Sequence, residues 1–88
     1  SQMVDIKERF IKLQLEQSPE SEKFLRHLIC KGIISMETMR NFVLVNQMDE
    51  YLKANKGNIG HTLMDLSDDF GISERMVRIV HKKYTRIF

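Results

Sequence analysis

The sequence predicts an all-α fold, a small bundle of about five helices in which the last two are short and joined by a tight turn. Three observations predict it. Apolar residues recur at three- and four-residue steps along most of the chain, the spacing of amphipathic helices. Start and stop signals (Ser18-Pro19-Glu20, Lys31-Gly32, Ser35, Gly71-Ile72-Ser73) cut the pattern into helix-sized pieces. The apolar run Phe42 to Val45 is flanked by apolar positions at helical spacing.

The first helix is expected from about Met3 to Gln17. Met3, Ile6, Phe10 and Leu13 give one narrow apolar stripe. In the second, Ser18 is placed to cap, Pro19 suits the first helical position, and Glu20 and Glu22 favour the positive end of the helix dipole. Phe24, Leu25, Leu28 and Ile29 share a face, and Cys30 beside them reads as a small buried hydrophobe. Gly32 closes this helix, with Ile33 as the apolar residue that often follows a glycine stop. Ser35 caps the third helix, which runs to about Ala54. Its middle, Phe42 to Val45, is apolar nearly all round, as in a central or interfacial helix. A four-residue strand is the competing reading of that run, and the helical spacing of the outer apolar positions argues against it.

Lys56-Gly57-Asn58-Ile59-Gly60 reads as a turn cluster, and any domain boundary falls there. Residues 1–59 are then N-terminal helices for scaffolding or dimerisation. Residues 60–88 join the third helix in one structural unit, because two short helices cannot bury a core alone. Leu66 and Phe70 stand four apart on one helix face, and Gly71 offers the positive φ needed to leave it. Ile72 supplies an apolar plug. Ser73 caps the next helix, with Glu74 in its first turn, and Val77 and Val80 share the face that closes on Leu66, Phe70 and Ile72.

Composition and charge narrow the function classes. The 88 residues are 42% hydrophobic and 30% charged, which suits one small folded domain rather than a disordered segment. The longest apolar run is far short of a membrane span, and no basic-then-apolar leader opens the chain. One cysteine allows no intrachain disulfide, which fits a reducing cytoplasm. His27, His61 and His81 lack companions at metal-ligand spacing. No phosphate loop, dinucleotide fingerprint or hydrolase elbow is present, so no enzyme, cofactor or small-molecule substrate is expected. Asp65, Asp68 and Asp69 read as a solvated helix face. The net charge of +2 is unevenly spread. Residues 73–88 carry five basic and one acidic side chain, net +4, whereas residues 60–72 carry three acidic and no basic ones. A basic helix at a chain end is often just a solvated face. It is also where a DNA-reading helix carries its charge.

The segment from about Gly60 to Tyr84, with Ser67, Gly71, Ile72, Ser73, Val77 and Val80 at matching spacing, resembles the helix-turn-helix superfamily of bacterial and phage DNA-binding proteins. It is loosely similar to Mor-type phage transcription activators and to DNA-binding domains of transposases and resolvases. Ser67 stands where such motifs most often have alanine. The resemblance implies sequence-specific binding of double-stranded DNA by a transcriptional regulator, a homodimer, in a bacterial or phage-like, nucleoid-associated cytoplasmic setting. With Val77 and Val80 inward, Ser73, Glu74, Arg75, Arg78 and Ile79 are the candidates for base contact. Thr62, Lys82, Lys83 and Arg86 are the candidates for phosphates. The alternatives are a helical protein-interaction module built on a three-helix scaffold, or the DNA-binding domain of a transposase or recombinase. The charge distribution in space discriminates between these readings. An exposed stripe of Arg75, Arg78, Lys82 and Lys83 favours DNA, and its neutralisation by Asp68, Asp69 or the N-terminal helices favours a protein partner.

Overall fold

A computed structural model describes residues 3–88. It is all-helical: α1 (Ile6–Gln17), a 3-10 turn (Pro19–Ser21), α2 (Glu22–Cys30), α3 (Met36–Ala54), α4 (Ile59–Phe70) and α5 (Glu74–Tyr84). Helix α3 is the axis. It packs against α1 and against the pair α4 and α5, which also pack on each other. Its all-round apolar middle follows from this position. Met39, Val43 and Leu44 are buried between the two sets of neighbours, and the segment 42–45 is helical. With Ile6, Phe10 and Ile11 from α1, and Leu63, Leu66, Phe70, Val77 and Val80 from α4 and α5, they form one hydrophobic cluster.

The helix starts are set by side chains. Asp5 accepts the Glu8 amide at 3.0 Å, Ser35 accepts the Thr38 amide at 3.1 Å, and Asn58 accepts the His61 amide at 2.9 Å. Each satisfies one of the amides that a helix N-terminus leaves without a backbone partner.

Several expectations are corrected. Helix α1 begins at Ile6, not Met3, because Asp5 takes an extended conformation and caps it. Its buried face includes Ile11 beside Ile6 and Phe10, so the stripe is wider than the spacing of Met3, Ile6, Phe10 and Leu13 suggests. Ser18 and Pro19 start a single 3-10 turn, and α2 begins only at Glu22. Helix α2 lies mainly on α1, and none of its residues is fully buried. Phe24 is 64% exposed and Cys30 is exposed, although both were expected on an inward face. The α2 stop follows the glycine pattern: Ile33 and Gly32 donate to the Leu28 and Ile29 carbonyls at 2.9 and 3.0 Å. Ile59 and Gly60 lie within α4 rather than in the preceding turn, since Asn58 ends the turn as the helix cap.

Candidate nucleic-acid interface

The geometry of α4, the turn and α5 is built locally. Gly71 leaves α4 at φ +66°, ψ +32°, the left-handed region that side chains avoid. A methyl group there would also stand 2.9 Å from the Met3 side-chain tip. The Ser67 carbonyl accepts the amides of Gly71 at 3.0 Å and Ile72 at 3.3 Å, while the Ser67 hydroxyl donates to the Ile72 carbonyl. Ser67 is therefore a brace across the turn, which alanine could not be. Ser73 then accepts the Met76 amide at 3.0 Å and starts α5, and Glu74 follows beside the exposed amides of the first turn. The chain before α1 is pinned to the same place, because the Val4 amide donates to the Asp69 carbonyl at 3.0 Å.

Helix α5 seats itself by one face. Val77 and Val80 are buried, and Tyr84 is half-buried one turn further on. The Tyr84 ring stacks on Phe88 with centroids 5.1 Å apart, and Phe88 in turn meets Phe42 of α3 at 5.4 Å. At about 100° per residue, Arg75, Arg78, Ile79 and Lys82 fall on the opposite face. All four are exposed, Ile79 at 45%. Lys83 points to one side, its ammonium 5.3 Å from the Tyr84 ring centroid. Ser73 and Glu74 are exposed at the helix start, and Arg86 is exposed just beyond its end.

Among the described residues none of these cations forms an ion pair. Among the described residues the ion pairs are those of Arg26, with Glu8 at 2.9 Å and Glu22 at 3.0 Å, joining α2 to α1. The Arg26 contact also holds the Glu8 carboxyl below its ordinary pKa, chiefly through the hydrogen bond. Two of the three acidic side chains of α4 are engaged elsewhere. Asp69 accepts from the Tyr51 hydroxyl at 2.6 Å, and Asp65 accepts from the Asn55 side-chain Nδ2 at 2.9 Å. Asp65, Asp68 and Asp69 line a groove of about 620 Å³ shared with α1 and α3, where Arg9 and Lys12 face them. Charge is thus segregated, with the acidic edge of α4 turned toward α1 and the basic stripe of α5 toward solvent.

Thr62 requires correction. It is only 4% exposed, and its hydroxyl donates to the Asn58 carbonyl at 2.7 Å. A buried, satisfied hydroxyl cannot reach a phosphate. The exposed start of α4 is instead Asn58 to His61, with the cap four residues before Thr62.

A polar network went unread in the sequence. The Arg9 guanidinium donates to Gln47 and to the Tyr51 hydroxyl, both at 2.8 Å, and Tyr51 passes its proton bond on to Asp69. This ties α1, α3 and α4 together. Burial, followed by donation to Asp69, raises the Tyr51 pKa, with Arg9 acting in the opposite direction. Asp69 is thus half-buried and structural rather than part of a solvated face. No local spacing announces partners 38 to 42 positions apart.

Among the described residues no group of three or more His, Cys, Asp or Glu side chains is placed to hold a metal ion, and no helix is long and apolar enough to cross a membrane. Compared with protein-family models, with curated proteins and with solved structures, the chain matches none of them.

Proposed function

We propose that α4 and α5 form a helix-turn-helix that binds double-stranded DNA, with α5 entering the major groove as part of a transcriptional regulator. One observation carries this reading: Arg75, Arg78 and Lys82 form an exposed cationic stripe with no acidic partner among the described residues, on a helix whose other face is locked into the core. A rigid helix presenting unpaired guanidinium groups is what base reading needs, since each can donate two parallel bonds to guanine O6 and N7. In this reading Arg75 and Arg78 contact base edges and Ile79 meets a thymine methyl. Ser73 and Glu74 sit at the leading end of the helix, where Glu74 can accept from cytosine N4. Lys82, Lys83 and Arg86 hold phosphates. Thr62 has no part in it.

Site selection from a duplex pool, followed by substitution, tests these roles. Arg78→Ala is expected to cost about 1–3 kcal/mol on the selected site and to relax the sequence preference at one position. Lys82→Ala is expected to weaken all sequences alike and to lower the salt slope by about one. Equal loss on selected and random DNA for Arg78→Ala would make it a phosphate contact.

A second reading, a helical protein-interaction module, draws on the exposed Phe24, Ile33 and Met36 of the N-terminal half. It becomes the better one if the protein ignores duplex DNA at low ionic strength.

A further inference from the structure

Behind the outward face of α5 lies a cleft of about 380 Å³ between α3, α4 and α5. Its lining includes Leu63, Leu66 and Val77, all buried in the core cluster. Asp49 reaches it from α3, while Arg78 and, one turn later, His81 reach it from α5. Asp49 and Arg78 carry opposite charges at one cleft, yet among the described residues neither forms an ion pair. Its volume lies within the range of about 300–1,000 Å³ typical of small-molecule sites, and an apolar lining with a few convergent polar groups is their usual make-up.

We propose that this cleft binds a small zwitterion with an apolar body, the chemistry of a free hydrophobic α-amino acid, with its ammonium on Asp49 and its carboxylate on Arg78. The charges select the class. Asp49 disfavours a simple carboxylate, and Arg78 disfavours a simple amine. A molecule carrying both charges satisfies each wall with a charge-assisted hydrogen bond, the carboxylate accepting the guanidinium fork. Its apolar body leaves water for the leucine and valine side chains. Occupancy of the cleft rests on nothing said above about DNA. Its consequence does rest on that reading: Arg78 cannot serve a ligand carboxylate and a base edge at once. Ligand and DNA then compete, and each weakens the other by the same factor.

A titration of the ¹⁵N-labelled protein with L-phenylalanine, followed by amide chemical shifts, tests the site without DNA. Saturable shifts confined to the facing parts of α3, α4 and α5 are expected. 3-Phenylpropanoate, which lacks the ammonium, and 2-phenylethylamine, which lacks the carboxylate, are each expected to bind at least about tenfold more weakly, as are Asp49→Asn and Arg78→Gln. Both positions are exposed, and the analogues report on the unaltered protein if a variant folds poorly. No saturable shift up to about 10 mM would overturn the proposal, as would single-charge analogues binding as tightly as the amino acid. A second arm measures duplex binding with and without saturating L-phenylalanine. A fall of about 5- to 150-fold is expected. Unchanged affinity in a protein that binds both ligands would overturn the competition. An amino-acid response without any DNA binding would instead overturn the DNA reading and leave the cleft standing.

Discussion

Helices α2 and α5 are similar on paper and different in the molecule. Both are short, 9 and 11 residues, and both carry apolar residues on one face and charge on the other. Helix α5 lies in the angle between α3 and α4 and buries Val77 and Val80 completely, whereas α2 lies mainly on α1 and buries nothing completely. Helix α5 starts on the Ser73 cap, whereas α2 emerges from a 3-10 turn with no side-chain cap. An amphipathic pattern therefore says which face turns inward but not how deep it goes. Depth depends on whether one neighbour or two receive the helix. In consequence α5 is a stiff platform for its arginines, and α2 is the helix expected to open first under mild denaturation.

The largest expected effect exploits this contrast with the same substitution at two sites. Leu66→Ala should cost about 2–5 kcal/mol, because Leu66 is fully buried where α4 meets the core. Leu28→Ala, on the shallow face of α2, should cost less than half of that in denaturant unfolding. Equal losses would erase the distinction between the two regions.

Next is Gly71→Ala, expected to cost about 1–2 kcal/mol for the left-handed backbone alone. The Met3 tip can move aside, so the steric part is small. Thermal unfolding would show it, and an unchanged midpoint would mean that the turn does not hold its geometry in solution.

The Tyr51 network gives a pH signature. Its folded pKa is raised. The neutral phenol is therefore the form that the fold prefers, and its contribution is fully present below the unfolded value near 10. That contribution is lost as pH rises through the folded pKa. Stability measured across alkaline pH should fall in this window, and Tyr51→Phe should flatten the fall.

The smallest effect is a gain. Lys56 holds φ +53° at the end of α3, followed by Gly57 at φ +82°. The Gly57 and Lys56 amides donate to the Leu52 and Lys53 carbonyls at 2.9 and 3.0 Å, a helix stop that favours glycine at the Lys56 position. Lys56→Gly should stabilise by up to about 1 kcal/mol, less whatever glycine adds to the freedom of the unfolded chain.

Much of this was legible in the sequence. Ser35 and Ser73 as caps, the Gly71 exit and the inward set of Leu66, Phe70, Val77 and Val80 are all local patterns, and local patterns survive folding. The exposed positions of Arg75, Arg78 and Lys82 follow from that inward set by helical geometry alone. What could not be read depends on distant neighbours. The shallow seat of α2, the exposure of Cys30, the Arg9–Tyr51–Asp69 network and the cleft under Arg78 all need the packing of α1, α3 and α4 to be known. Thr62 failed for a local reason: Asn58, not a later residue, caps α4, and that moved Thr62 one turn inside the helix.

The central claim is that the unpaired stripe on α5 meets DNA phosphates and bases. Fluorescence anisotropy on mixed duplex DNA across a salt series tests it most directly. Binding that weakens linearly in log[salt], with a slope of about −0.9 for each phosphate engaged and several phosphates in all, is the predicted result. Absence of binding at the lowest salt, or binding indifferent to salt, would contradict it.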